Sequence, residues 1–197
     1  MSDGVYKKLS ATKAADLCGH FELPEEARGW LDGRTTGQFL DLLVEKEQLV
    51  AAIDLLAHAL PKREAVWWGC LCLREVHGPD FAPKDQAALK AAAQWVLDPS
   101  EEKRQAAAAP AEATEYATPA GCLALAAFGS GGSLNPPNLP AVPPDPYLTA
   151  KTVSGSLLMA ATKGDPLQVP EMQRRFVELG QRIAQGKVDC PQAKKKP

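Results

Sequence analysis

"LPKREAVWWGCLCLRE", residues 60–75, places the uncharged run 65–73 directly behind a cluster of charged residues. Successive side chains on an α-helix are about 100° apart, so this run covers the whole circumference of a helix. A helix without a charged face needs neighbours on every side. The stretch therefore predicts the central helix of an all-α protein, in which Trp67 and Trp68 face different directions and at least one indole is wholly buried.

Signals for the start of a helix recur along the chain. Proline is favoured in the first turn, because the N–H that it lacks would have no partner there. Between these starts the apolar residues recur every three or four positions, and no comparable alternating run predicts a strand. We therefore expect a compact multi-helix bundle of about eight to ten helices, with a single domain over residues 1–186. The prolines before helix-like runs are Pro24, Pro61, Pro83, Pro99, Pro119, Pro146 and Pro170.

The clearest of these starts is "DPSE", residues 98–101. In this stretch the Asp98 side chain can accept a hydrogen bond from the backbone N–H at the third helical position. The Glu101 side chain can in turn accept one from the backbone N–H of Asp98. This pair of contacts is a capping box with Asp as the cap residue. We therefore expect a helix to begin at Pro99.

Two segments depart from the helical pattern. Residues 129–146, "GSGGSLNPPNLPAVPPDP", carry six prolines in their last eleven positions, which excludes helix and sheet interior. They predict an extended connector within the domain, and Leu134, Leu139 and Val142 are expected to hold it against the helices. The polar, basic segment 187–197, "KVDCPQAKKKP", predicts a frayed tail.

Composition excludes several classes of partner. The net charge of −2, without clustered Lys and Arg, disfavours nucleic acid. No stretch approaches the roughly 20 apolar residues that cross a bilayer, and the N-terminus lacks the apolar core of a secretory signal, so we expect no membrane insertion. Five cysteines, mostly among aliphatic residues, favour free buried thiols and a cytoplasmic protein. Cys70 and Cys72 diverge by about 200° on a helix, so we expect no bound metal.

A candidate groove for a partner or ligand lies around the start of the central helix. Lys62 and Arg63 stand in the first turn, where the helix dipole disfavours positive charge, so each needs a compensating contact. Acidic residues such as Asp54, Glu45 or Glu64 supply it in one interpretation, and a bound anion or acidic partner supplies it in the other. For Arg63 we expect a carboxylate from another helix. The candidate groove residues are His58, Lys62, Arg63, Trp67 and Trp68.

His58 follows Asp54 at a spacing of four, so the two form either a structural pair or part of a proton-transfer pair. A third catalytic group is not visible, and no phosphate-binding or metal-binding motif is present. The sequence therefore predicts no catalytic residue and no cofactor.

The chain resembles a family of uncharacterised bacterial all-helical proteins that is associated with type VI secretion neighbourhoods. The matching pieces are "LPKREAVWWGCLCLRE", "WVLDPSEEKRQAA" and "FGSGGSL" followed by "VPPDPYLTAK", which together span about residues 55–155. The resemblance implies a helical fold and a bacterial origin, but it implies no site residue.

Our leading hypothesis is a non-enzymatic, cytosolic helical adaptor or chaperone-like protein that binds a protein partner. In this hypothesis the protein is an accessory to a bacterial type VI, or contractile, secretion system. The first alternative is a small-ligand binder or enzyme that uses a groove near Lys62, Arg63, Trp67 and His58. The second alternative is an immunity-type protein that neutralises a toxin. The last differs from the leading hypothesis only in its partner.

Overall fold

Helices form nearly all the regular structure in the computed structural model, which describes residues 6–10, 13–78, 80–136 and 138–192. Within those ranges the β-type pairing is one isolated bridge, between Lys13 and Thr35. In the described part of the chain, nine α-helices have six or more residues and two are single turns, which confirms the predicted all-α fold. They are α1 (Ala15–Cys18), α2 (Glu25–Arg28), α3 (Thr36–Glu45), α4 (Leu49–Ala59), α5 (Lys62–His77), α6 (Pro83–Leu97), α7 (Glu101–Ala106), α8 (Ala108–Ala113), α9 (Pro119–Phe128), α10 (Leu148–Ala161) and α11 (Val169–Ala184), with a 3-10 turn at Pro166–Gln168.

Prolines mark the starts of several helices, as the sequence predicts. Pro83 and Pro119 are the first residues of α6 and α9, and Pro170 lies in the first turn of α11. Pro61 is the residue before α5, and it is separated from α4 only by Leu60. The resulting corner leaves α4 and α5 joined almost without a loop.

The capping box predicted around Asp98 is wrong. Helix α7 begins at Glu101, two residues after the predicted start, and its cap is Ser100, whose hydroxyl accepts a hydrogen bond from the backbone N–H of Lys103 at 3.4 Å. Asp98 instead ends α6. The Glu101 side chain does not reach back to a cap, because both of its oxygens bind Arg104.

Helix α5 is the buried central helix that its uncharged run predicts, since it packs against α6, α9, α10 and α11. Trp68 is fully buried, and its indole N–H donates to the backbone oxygen of Phe176 in α11 at 2.9 Å. Trp67 is half-buried and packs against the edge of the core. The prediction that the two indoles face different directions, with at least one wholly buried, is confirmed.

Two glycines allow neighbouring helices to approach α5 closely. A Cβ atom at Gly69 would lie 2.4 Å from Leu123 in α9. A Cβ atom at Gly180 in α11 would lie 2.8 Å from Leu56 and 3.0 Å from Trp68. These distances are shorter than van der Waals contact, so a side chain at either position would push a helix away from the core.

The connector between α9 and α10 closes on itself. The backbone N–H of Leu134 donates to Val142 O at 2.8 Å, and the Ser133 hydroxyl accepts from the backbone N–H groups of Asn135 and Val142. Of the three apolar side chains expected to hold the connector, Leu139 and Val142 are exposed and only Leu134 is half-buried, so the prediction is wrong for two of them. Polar contacts across the neck of the loop hold it instead.

The C-terminal segment departs from the predicted frayed tail. The N–H of Lys187 donates to Arg182 O at 2.8 Å, and Asp189 forms an ion pair with Lys8 at 3.0 Å. Val188 and Cys190 are half-buried against the core. Residues 187–192 are therefore packed, while residues 193–197 of the predicted tail lie outside the described residues. The assignment of residues 1–186 to a single domain stays a prediction.

Candidate functional site

The five predicted groove residues do not line one groove. Trp68 lies in the core, and Trp67 packs at its edge. Arg63 extends toward the end of α6, whereas His58 and Lys62 line a pocket at the corner between α4 and α5. The structure thus brings together two of the five residues.

The carboxylate contact predicted for Arg63 is wrong. The Arg63 Nε–H donates to Val96 O at 2.7 Å, and Nη2 donates to Pro191 O. Among the described residues no carboxylate forms an ion pair with it. Val96 lies in the last turn of α6, where carbonyl oxygens lack helical partners and carry partial negative charge. The carbonyl oxygens of Val96 and Pro191 therefore offset the unfavourable position of the Arg63 charge at the N-terminus of α5, a role that we expected an acidic side chain to fill.

Lys62 is also satisfied by a main-chain group. Its Nζ donates to Ser130 O at 2.9 Å, just after the end of α9. Both cations in the first turn of α5 therefore bind backbone oxygens of other elements. Neither contact identifies a site by itself.

His58 has one occupied and one unoccupied ring nitrogen. Nδ1 lies 2.7 Å from Asp54 O, so Nδ1 carries the proton and donates to that carbonyl group. Nε2 is buried, and within the described part of the chain it has no hydrogen-bond partner. Burial lowers the pKa of the imidazole, which favours the neutral ring with a free lone pair on Nε2.

The Asp54 carboxylate does not orient His58 for proton transfer. Its Oδ1 accepts a hydrogen bond from the Ser154 hydroxyl at 2.6 Å, across the interface between α4 and α10. Burial raises the pKa of this carboxyl group, and the hydrogen bond from Ser154 opposes that change. The pair at spacing four is therefore a local contact between the imidazole and a backbone carbonyl.

The pocket beside His58 has a volume of about 430 Å³. Aromatic rings surround the imidazole: Phe21 lies 5.0 Å and Tyr147 5.8 Å away between ring centroids, and His20 stacks on Tyr147 at 3.7 Å. The sequence analysis did not identify Tyr147, because it lies almost ninety positions from His58. The walls are formed by Ser10, Asp16, Leu17, Ala57, His58, Leu60, Pro61, Lys62, Pro146, Tyr147, Thr149 and Ala150.

A larger groove, which the sequence analysis missed, runs along α6 beside the end of α5. We call it the α5–α6 groove, and its volume is about 930 Å³. Its α6 residues recur at spacings of three and four, so they form one stripe along the helix. Half of them are alanine or glutamine, which is why no apolar stripe was apparent. The lining residues are Arg74, Gly78, Phe81, Pro83, Gln86, Ala87, Leu89, Lys90, Ala93, Gln94 and Leu97.

The motifs "DPSEEKR" and "FGSGGSL" meet at Arg104, whose side chain is buried. Its guanidinium binds both oxygens of Glu101 at 2.6 and 2.7 Å and donates to Phe128 O and to Ser133 O. Gly132 has φ of 63°, and a Cβ atom there would lie 2.7 Å from the guanidinium. These contacts join α7, α9 and the connector, so the motif residues form a structural unit.

Neither metal-ligand clusters nor membrane spans occur among the residues that the structure describes. No three His, Cys, Asp or Glu side chains are grouped to hold an ion, and no helix is long and apolar enough to cross a bilayer. Burial raises the pKa of Cys70 to about 12 and that of Cys72 well above its ordinary value, so both are protonated thiols at neutral pH.

The fold of the described residues defines an all-α helical protein with a buried central helix. Residues 39–184, from within α3 to the end of α11, match the family described as "Family of unknown function (DUF6931)". The chain therefore belongs to that family, and the predicted membership of an uncharacterised family is confirmed. Neither a curated protein nor a solved structure matches the chain. The matched region contains the whole α5–α6 groove.

Proposed function

We propose that this protein is a non-enzymatic, cytosolic helical adaptor or chaperone-like protein that binds an acidic amphipathic helix of a protein partner in the α5–α6 groove. The observation that carries the proposal is the groove itself, a concavity of about 930 Å³ lined by small, apolar and cationic residues. We further propose that it serves a bacterial type VI, or contractile, secretion system. Its motif resemblance supports this role.

The shape of the groove suits a helix. Helix α6 has 15 residues, so the groove along it is roughly 22 Å long, which matches about four helical turns. Ala87, Ala93 and Gly78 are small enough to let a second helix approach closely. Phe81 lies near one end of α6, and Leu97, which is 40% exposed, lies at the other, so each provides an apolar anchor.

The charge of the groove specifies an acidic partner. Arg74 and Lys90 are its charged lining residues, and neither forms an ion pair with another described residue. A helix with Asp or Glu beside its apolar face would complement them, whereas a basic helix would be repelled. The chain's own basic segment, residues 194–196, has the wrong sign to occupy the groove.

The chemistry of the lining favours binding over catalysis. The groove residues include neither a His or Cys nor an acidic side chain that would serve as a general base or nucleophile. The amide side chains of Gln86 and Gln94 would provide hydrogen bonds without charge. This composition suits a recognition surface with an apolar floor and polar rim.

Charge reversal combined with cross-linking tests the proposal. A photoreactive residue replaces Ala87 in the full chain, and cross-linked partners are identified in the native cell. We expect a reproducible partner whose cross-linked peptide comes from an acidic amphipathic helix, with its yield at least tenfold lower in the Lys90→Glu variant. Lys84→Glu is the matched control, because Lys84 is an exposed lysine of α6 outside the groove.

Cross-links to a basic segment, or equal yields from Lys90→Glu and Lys84→Glu, would contradict the proposal. A charge swap provides the confirming result. Replacing an acidic residue of the cross-linked segment by Lys should restore the yield with Lys90→Glu and lower it with the unchanged protein.

A further inference from the structure

We propose that the pocket between residues 13–15 and the turn at residues 28–34 binds a phosphomonoester, the phosphate group that a phosphorylated side chain or a sugar phosphate carries. We call it the Lys13 pocket, and its volume is about 480 Å³, within the range of small-ligand sites. It shares no lining residue with the α5–α6 groove, and it lies outside the region that matches the family. The inference therefore does not depend on the proposed function.

The lining of the Lys13 pocket has an excess of positive charge. Lys13, Arg28 and Arg34 line it with three cationic side chains, and among the described lining residues only Asp32 is acidic. Three cations less one carboxylate leave two positive charges, which match the charge of about −2 on a phosphomonoester above its second pKa. Arginine and lysine both form charge-assisted hydrogen bonds with phosphate oxygens, and an arginine can bind two of them at once.

The three cations keep donors that a ligand can use. Arg34 Nη1 donates to Trp30 O, which fixes the side chain, while its Nε and Nη2 have no partner within the described ranges. Arg28 pairs with Glu25 at 3.5 Å, but both side chains are exposed, so this contact is weak and an anion can displace it. The exposed Lys13 forms no ion pair with another described residue.

Backbone N–H groups of the turn add to these donors. Gly33 has φ of 68°, and since it has no side chain, its backbone forms part of the pocket wall. The N–H groups of Asp32 and Gly33 have no hydrogen-bond partner in the described part of the chain. Successive free N–H groups in such a turn form a concave feature that binds anions. The turn is held against residues 13–15 by the Ala14 N–H, which donates to Arg34 O at 3.2 Å.

The Asp32 carboxylate narrows the class of ligand. It lines the pocket and would repel a second anionic group, so a diphosphate or triphosphate is disfavoured. It can accept a hydrogen bond from a neutral O–H or N–H group beside the phosphate. Leu31, which is half-buried in the same wall, offers an apolar contact to the carbon atoms of the ester. The pocket thus suits a single phosphomonoester with a neutral donor nearby.

Two probes of equal shape test the proposed charge selectivity: phenyl phosphate and phenyl sulfate. Each is titrated into the full-length protein labelled with nitrogen-15, and NMR follows the backbone N–H signals of Asp32 and Gly33. At pH 8 we expect phenyl phosphate to bind about tenfold more tightly, because it carries a second negative charge. At pH 5 the preference should largely disappear, because the phosphate ester binds a proton with a pKa of about 6.

Two variants and a control test the residues. Lys13→Met should weaken phenyl phosphate about tenfold, because it removes one charge-assisted contact. Asp32→Asn should strengthen phenyl phosphate, because it removes the repulsive carboxylate. Lys46→Met is the matched control, since Lys46 is an exposed lysine that pairs with Glu45 outside the pocket, and it should leave the affinity unchanged. All three replaced side chains are exposed, so the variants should fold.

A second pair of ligands identifies the source of the phosphomonoester. N-acetylphosphoserine amide represents a phosphorylated peptide, and glucose 6-phosphate represents a sugar phosphate. Both should bind more tightly than phenyl phosphate, because each brings a neutral donor for Asp32, and Asp32→Asn should reduce that advantage. The tighter of the two assigns the source, and pyrophosphate should bind more weakly than either.

The inference is wrong if phenyl phosphate does not bind, or if phenyl sulfate binds as tightly at pH 8. It is also wrong if the signals of Asp32 and Gly33 stay in place while others shift. Equal losses of affinity in Lys13→Met and Lys46→Met would indicate general attraction to the protein surface, which contradicts a site at this pocket.

Discussion

Two arginines of this protein, the half-buried Arg63 and the buried Arg104, are held largely by main-chain carbonyl groups. Arg63 binds Val96 O and Pro191 O, and Arg104 adds Phe128 O and Ser133 O to its ion pair. Each guanidinium therefore joins elements distant in sequence. Backbone acceptors exist at every position, so sequence does not indicate which of them an arginine will find. That is why a carboxylate was wrongly expected for Arg63.

Glu101 is expected to stabilise the protein only above acidic pH. The Arg104 hydrogen bonds lower its pKa to about 2 in the folded protein, so its contribution is complete above its ordinary pKa and is lost as pH falls toward 2. Its side chain is 63% exposed, and solvent screening reduces the contribution to about 1 kcal/mol. Urea denaturation of Glu101→Gln should show that loss at pH 7 and almost none near pH 2. An equal loss at both values would contradict this prediction.

The two adjacent tryptophans should differ in their contributions to stability. Trp68→Ala removes a fully buried ring and its hydrogen bond to Phe176 O, so we expect a loss of about 3–5 kcal/mol in the free energy of unfolding. Trp67→Ala should cost less, because the ring is only half-buried. Chemical denaturation of both variants checks the order, and a larger loss at Trp67 would be incompatible with the packing described.

At the scale of elements, α5 is the central helix, and α6, α9, α10 and α11 pack against it. The uncharged run at residues 65–73 predicted this central position, because a helix without a charged face must be covered on every side. The α5–α6 groove was not predictable in the same way, since Ala87 and Gln94 carry no strong hydropathy signal. The groove forms because the end of α5 lies beside α6, and the relative position of two helices is set by tertiary packing, which local sequence patterns do not report.

Gly69→Ala should destabilise the packing of α9 on α5. The added methyl group would overlap Leu123, so we expect a loss of about 1–3 kcal/mol despite the higher helix propensity of alanine. Gly155→Ala in α10 is the control, because a Cβ atom there meets nothing within 4 Å. Thermal denaturation should show a lower midpoint for the first variant and an unchanged or higher one for the second.

Arg63 is expected to hold the segment after α11 in place. Arg63→Met removes the donors to Val96 O and Pro191 O, so residues 187–192 should detach more often. Hydrogen exchange should show faster exchange at Lys187 and Val188, whose N–H groups bind Arg182 O. Lys62→Met serves as the comparison and should leave that segment protected. Equal protection in both variants would mean that the other packing contacts suffice.

At the scale of the molecule, periodicity and helix-start signals predicted the all-α class and the central helix. They did not predict which helices meet, so His58 and Tyr147 were not recognised as neighbours. Local signals also misplaced the start of α7, because Asp98 and Ser100 are both good caps and only the structure shows which of them is used.

The predicted single domain implies cooperative unfolding. Helix α5 packs against α6, α9, α10 and α11, so separation of any one of them exposes shared core. We expect one transition in urea, with the same midpoint by tryptophan fluorescence and by circular dichroism. Two transitions, or midpoints that differ between the probes, would divide the chain into independent units.

The closed neck of the proline-rich connector also offers a practical route for engineering. Leu134 and Val142 pin the ends of the loop, and Leu139 at its tip is 51% exposed. Lengthening a loop whose ends are already fixed costs little, about 0.6 kcal/mol for each doubling of its length. An affinity epitope inserted after Asn138 would therefore leave the bundle folded and both concave surfaces free, so the protein can be recovered from cells without a terminal fusion.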